Sequence, residues 1–251
     1  MNTPVRVLLV GARGRMGRAI SAAAPSVGGV EISAACDRDD NIRDRIPGCD
    51  VVVDFSHADA TEVHCAAAVE SGKALVIGTT GHSSGQRAVI ARAAASIPIV
   101  LAPNFSVGVN TLFWLTRRAA ELLGDGFDVE IVETHHRLKK DAPSGTAKRL
   151  AELLCDVRGL DHQRDVAHGR EGITGERPPQ QIGMHAIRAG DVVGDHTVIF
   201  ASAGERLELT HKASSRETFA VGALRAAQWV AGKRPALYSM EDVLGLNDGS
   251  R

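Results

Sequence analysis

A chain of 251 residues is long enough for one large domain or two modest ones, and its 29 basic against 30 acidic side chains leave a formal net charge of −1. That balance excludes the broad basic surface that nucleic acid or an anionic membrane demands, so any anion recognition is local. Four widely spaced cysteines, Cys36, Cys49, Cys65 and Cys155, form no Cys-x-x-Cys pair and no ligand spacing with histidine, so they read as reduced thiols and no metal site is expected.

The apolar run 5–10 is too short for a signal-peptide core, and no run reaches the apolar length of a membrane helix, which points to a cytoplasmic chain with no membrane partner. The β-branched character of 5–10 predicts a buried strand, followed by a glycine turn at 11–17 and an alanine-rich helix. The alternation recurs with strands at 30–36 and 51–55, a helix at 58–70, a strand at 74–77, a helix at 83–95 and a strand at 97–101. Repeated strand-helix units predict a parallel, doubly wound sheet, because parallel neighbours need a crossover and the crossover is usually a helix. After 103–105 the rhythm changes to a long helix at 107–123 and a strand at 127–134, where a second domain begins. The polar segment 156–181, rich in Gly, Arg and Pro, predicts a long loop. Strands at 182–188, 196–201 and 206–211 then join 127–134 in a small open sheet, and a closing helix at 216–231 presents an apolar face to the first domain. The expected fold is α/β: a Rossmann-like dinucleotide domain, discontinuous over 1–104 and 216–251, and a smaller α+β domain over 105–215.

Gly11, Gly14 and Gly17 stand between the first strand and its helix, where a backbone without side chains approaches a pyrophosphate and free N–H groups receive its charge. Arg13 occupies the middle-glycine position of the common fingerprint, and taken alone the segment also serves as an ordinary tight turn. Asp37 follows the second strand at the distance of a ribose acceptor, which favours NADH, while Arg38 and Arg15 can pair with the extra phosphate of NADPH.

Residues 135–146 carry the most chemistry. His135, His136, Arg137, Lys139 and Lys140 lie between a strand end and a helix start, where a histidine exchanges protons near neutral pH and a lysine donates one while holding positive charge. Ser144 reads as an N-cap, with Gly145 and Thr146 opening a helix whose backbone donors suit a carboxylate. That combination fits reduction of a carbon–nitrogen or conjugated double bond. Another two-domain amino-acid dehydrogenase, of aspartate or homoserine type, shares the dinucleotide domain without needing the basic segment; a silent dinucleotide sensor predicts binding without turnover.

Over essentially its whole length the chain resembles the 4-hydroxy-tetrahydrodipicolinate reductase family, through residues 10–17, 78–81, 102–108, 133–137, 141–146, 169–172 and 211–216. The resemblance implies that Gly11, Ala12, Arg13, Gly14, Arg15 and Met16, with Asp37 and Arg38, hold the adenosine and pyrophosphate of NADH or NADPH. Gly78, Thr79 and Thr80, with Ala102, Pro103, Asn104 and Phe105, then contact the nicotinamide half. It further implies that His135 is a proton donor and acceptor, that Lys139 is a proton donor, and that His136, Lys139, Gly145 and Thr146 bind a cyclic dicarboxylate. Domain 105–215 becomes the substrate-binding and oligomerisation domain of a homotetramer. Leu138 stands where some relatives carry a histidine, and motif register selects Lys139 over Lys140.

Overall fold

The structure, a computed structural model, describes residues 3–246. In chain order, β1 (Val5–Val10), α1 (Arg15–Ala23), β2 (Val30–Cys36), α2 (Ile42–Arg45), β3 (Val51–Asp54), α3 (Thr61–Glu70), β4 (Ala74–Ile77), α4 (Ser84–Ala93) and β5 (Pro98–Leu101) alternate. They are followed by α5 (Val107–Leu123), β6 (Asp128–His135), α6 (Gly145–Arg158), α7 (His162–Asp165), β7 (Val166–His168), β8 (Ile182–Arg188), β9 (Gly194–Ser202) and β10 (Glu205–Ala213). The chain returns through α8 (Glu217–Val230), β11 (Ala236–Tyr238) and α9 (Met240–Leu244). It divides into two compact units, Met1–Val107 with Arg216–Arg251, and Gly108–Ser215. Residues 1–2 and 247–251, which the expected domain limits 1–104 and 216–251 include, lie outside the described residues.

The first unit is built on a six-stranded parallel sheet in the order β11-β5-β4-β3-β1-β2. Its direction of winding switches between β1 and β3, the place where doubly wound sheets open a crevice. Strands β3 and β4 are buried at every position, as strands covered on both faces must be, and this produces the apolar runs 51–53 and 74–77. One face is covered by α8 through Ala220, Ala223, Leu224, Ala227 and Val230, all fully buried. Small side chains let that helix lie close: a Cβ at Gly222 would run into the carbonyl of Phe105. On the other face Leu8, Val52, Leu75 and Ile99 pack with Ile90 of α4. Ser83 caps α4 in a reciprocal box with Gln86.

The expectation that the chain closes on the helix at 216–231 is corrected here. Past α8, β11 adds a sixth strand in parallel to β5, and Ser239 with Asp242 forms a capping box for α9. Three residues of strand are too few to register as a periodicity.

The second unit carries a five-stranded mixed sheet in the order β10-β9-β6-β8-β7, with β6 antiparallel to β9 and parallel to β8. Val129, Ile131 and Glu133 of β6 turn to the buried face, where Leu150 and Leu154 of α6 pack with Val198 and Phe200. The expected loop 156–181 is also corrected. Helix α6 runs on to Arg158 and stops at Gly159, whose φ of +65° suits a left-handed cap. Asp161 then caps α7, and β7 pairs at the sheet edge with β8 before the chain becomes irregular. Arg170 and Arg177 strap that irregular segment to Glu130 on β6. All four cysteines are buried and unpaired, and among the described residues no helix is long and apolar enough to cross a membrane.

Candidate active site

In the first unit the glycine turn closes on the end of β2. Gly11, at φ +80°, donates its N–H to the Cys36 carbonyl at 2.9 Å, and Gly14 donates back to Gly11 at 3.0 Å. The backbone N–H of Arg13 donates to Asp37 Oδ2 at 2.7 Å, so this carboxylate pins the loop. Gly17 lies beneath: a Cβ there would strike the Gly11 carbonyl, so its role is close packing of α1. Gly11, Gly14, Asp37 and Arg38 line one pocket of about 550 Å³, together with Asn41, Ile42, Ser56, His57, Val63 and His64. Arg13 and Arg15 are exposed beside it.

These residues fit a dinucleotide. No side chain caps α1, so its first N–H groups remain for an anion, and the turn presents glycine where the backbone must be approached.

Gly78, Thr79, Thr80, Ala102, Pro103, Asn104 and Phe105 do not line this pocket; they follow the carboxyl ends of the neighbouring strands β4 and β5. A Cβ at Gly78 would enter the Phe55 ring, which stacks obliquely on Phe105 at 5.5 Å. The Thr79 hydroxyl bonds Asp54 at 3.2 Å and accepts from the Ser56 N–H at 3.0 Å. Asp54 is itself buried and bonded to His64 at 2.7 Å. Burial alone raises the Asp54 pKa, but His64 and Ser56 outweigh it and hold the carboxyl below its usual range.

In the second unit, β6 delivers His135 at its end and Glu133 two residues earlier, on the same face. Glu133 is 0% exposed. Its carboxylate accepts from His135 Nδ1, from the Ser144 N–H at 3.2 Å, and from both terminal nitrogens of Arg188 at 3.0 and 2.9 Å. Burial opposes its charge, yet Arg188 and His135 together hold it below the ordinary glutamate value. His135 moves below the usual histidine range because burial outweighs the pull of Glu133, with Lys139 and Arg188 adding to the fall.

Ser144 caps α6 through Ala147 N–H, and its hydroxyl also bonds His196 Nε2 at 3.0 Å. The His196 ring meets His135 edge-on at 5.2 Å, and burial pushes its pKa down to about 4. Gly145, at the helix start, is exposed, and Thr146 is half-buried. Lys139 is paired with both oxygens of Asp141 at 2.9 Å, while Lys140 and Leu138 point outward. His136 keeps its Nδ1 buried without a bonding partner. The structure therefore gathers His135, Ser144 and Arg188 around Glu133, with Gly145 next in the chain after Ser144. Glu133's position on β6 was readable from the alternation of a strand; Arg188 and His196 lie 53 and 61 residues beyond His135, and no local pattern joined them to it.

Residues 5–105 match the family described as "Dihydrodipicolinate reductase, N-terminus", and residues 108–244 match "Dihydrodipicolinate reductase, C-terminus". The 4-hydroxy-tetrahydrodipicolinate reductase of Akkermansia muciniphila is 55% identical over 97% of this chain and 99% of its own. That of Chromobacterium violaceum is 48% identical over 96% and 98%. Among solved structures, a dipicolinate-bound dihydrodipicolinate reductase from Paenisporosarcina sp. TG-14 superposes with a TM-score of 0.80, at 25% identity over 96% of this chain and 99% of that one.

Proposed function

The chain belongs to the dihydrodipicolinate reductase family, and from that premise we propose that His135 and Lys139 carry the proton chemistry of its reaction. It is an oxidoreductase that reduces 4-hydroxy-tetrahydrodipicolinate to tetrahydrodipicolinate with loss of water, using NAD(P)H, in lysine and diaminopimelate biosynthesis. Its substrate is a small dicarboxylate.

A bound nicotinamide supplies hydride. For its pyrophosphate we assign the backbone of Gly11, Ala12, Arg13, Gly14, Arg15 and Met16, and for its ribose the Asp37 oxygen not taken by Arg13. Arg38 sits where an additional phosphate is met, so both NADH and NADPH are accepted. Gly78, Thr79, Thr80, Ala102, Pro103, Asn104 and Phe105 are assigned to the nicotinamide half. Thr79 serves there through its backbone, since its hydroxyl is engaged by Asp54 and Ser56. In these roles residues 1–104 with 216–251 form the dinucleotide domain and 105–215 the substrate domain.

His135 exchanges a proton through the nitrogen that Glu133 leaves open, and the Lys139 ammonium supplies one while balancing negative charge on the substrate. One substrate carboxylate is received by the opening N–H groups of α6 at Gly145 and Thr146, the other by Lys139 and His136. The observation that carries this reading is the convergence of an oriented histidine, a partly covered lysine and a capped helix start at one end of β6. Half-exposed Ile187 and the open face of the second sheet support association of that unit in a homotetramer. We place the enzyme in the cytoplasm, with the NAD(P)H pool that it draws on.

The test is consumption of NADH and NADPH, followed by absorbance, with freshly generated 4-hydroxy-tetrahydrodipicolinate. Oxidation of both cofactors is expected; none with either would overturn the assignment.

A further inference from the structure

We propose that Glu133, clamped by Arg188, is the positioning residue that selects the reacting nitrogen of His135 and ties that imidazole to the start of α6. The inference rests on the assignment of His135 and Gly145 made above.

Glu133 is fully buried on β6 and takes four bonds. Oε2 accepts from His135 Nδ1 and one Arg188 nitrogen; Oε1 accepts from the Ser144 N–H and the other Arg188 nitrogen. A carboxylate can only accept, so the proton of a neutral His135 is held on Nδ1 and Nε2 keeps its lone pair. Nε2 lies over β9 at Gly194, where an added Cβ would stand 3.0 Å away. The glycine leaves that nitrogen uncovered. The same carboxylate fixes the amide of Ser144, the N-cap of α6, so the imidazole and the carboxylate-receiving helix start share one rigid support.

Arg188 is held as firmly. Beyond the two bonds to Glu133 it donates to the carbonyls of Ile187 at 2.6 Å and Asp141 at 2.7 Å, bracing the loop that carries Lys139. The groups facing His135 are Glu133 from its own strand, Lys139 from the following loop, Arg188 from β8 and His196 from β9. His211 lies one strand further, opposite His196. Of these Glu133 is the anion, so losing its charge moves His135 titration to lower pH.

The experiment compares wild type, Glu133→Gln, His135→Gln and the double variant, using authentic substrate and saturating cofactor. Because the amide oxygen of glutamine can still accept from the Ser144 N–H, we expect Glu133→Gln to lower kcat at least about tenfold with KM and cofactor affinity nearly unchanged. The limb of the kcat/KM profile that follows His135 should move down by about one pH unit or more. Added to His135→Gln, it should cause no further loss, because it acts through that ring. Wild-type kcat and pH profile in Glu133→Gln, beside a defective His135→Gln, would overturn the positioning role alone; wild-type turnover in His135→Gln would remove the reading beneath it.

Glu133→Gln leaves the part-buried Arg188 guanidinium without its counter-charge and can prevent folding. Two measurements cover that case. Glu133→Gln combined with Arg188→Met removes both charges and should show the same kcat loss, with a smaller downward pH shift because Arg188 also depresses the His135 pKa; wild-type kcat in this folded variant would overturn the proposal. Imidazole ¹⁵N spectra of the wild type, with His135→Gln for assignment, should show the Nδ1–H tautomer; the Nε2–H tautomer would overturn the proposal.

Discussion

His196 shows what burial does to a single titratable residue. Only 4% exposed, bonded to Ser144 and edge-on to His135, it is held neutral with a pKa near 4, against about 6.5 for an ordinary histidine. The unfolded chain takes up a proton at this position as pH falls below about 6.5, and the folded chain does not until about 4. Stability is therefore complete above that window and is lost as pH falls through it, by up to about 3 kcal/mol from this residue. Urea midpoints at pH 7 and pH 5 should drop less in His196→Gln than in wild type. Equal drops would mean that another group sets the acid limit.

At the scale of elements, Gly17 decides whether α1 can seat beneath the phosphate turn. Gly→Ala inside a helix ordinarily stabilises by about 1 kcal/mol. Here the added Cβ meets the backbone of Gly11 and Ala12, which cannot swing aside as a flexible side chain would. Overpacking against rigid neighbours costs about 1–3 kcal/mol, so the clash wins. Gly17→Ala should lower the thermal midpoint and weaken cofactor binding together, by calorimetry and titration of NADH; a more stable variant with intact affinity would show that the turn yields.

The same scale explains what was legible in the sequence. Buried parallel strands such as β3 and β4 declare themselves as continuous apolar runs, and the turn at Gly11 and the cap at Ser144 have chemistry that belongs to a single position. What escaped was short or distant. β7 and β11 are three residues each and exist by pairing with β8 and β5, so their cause lies outside their own sequence. Arg188 and His196 join the site only through the register of β8 and β9 against β6. Asp37 was read as a ribose acceptor from its distance to the glycines; its bond to the Arg13 amide depends on a loop conformation that spacing does not encode.

For the whole molecule, the open sheet face of the second unit sets the expected assembly. Glu130, Val132 and Thr134 share that face with Ile187 and Thr197. Glu130 is held ionised by Arg170, Arg177 and His185, which bring its pKa to about 2, so the charge on this face is neutralised internally. A face compensated in this way suits association with identical copies. Native mass spectrometry should give four times the chain mass; a monomer at micromolar concentration would reject the tetramer.

Helix α8 belongs to the core of the first unit although more than a hundred residues of the second precede it in the chain. A ribosome therefore finishes the inner segment, 108–215, while the earlier strands still lack the helix that covers them. The usual order, in which the amino-terminal part of a protein matures first during synthesis, is inverted here. Until α8 emerges, the nascent sheet of β1 to β5 exposes the apolar face that this helix covers in the finished fold.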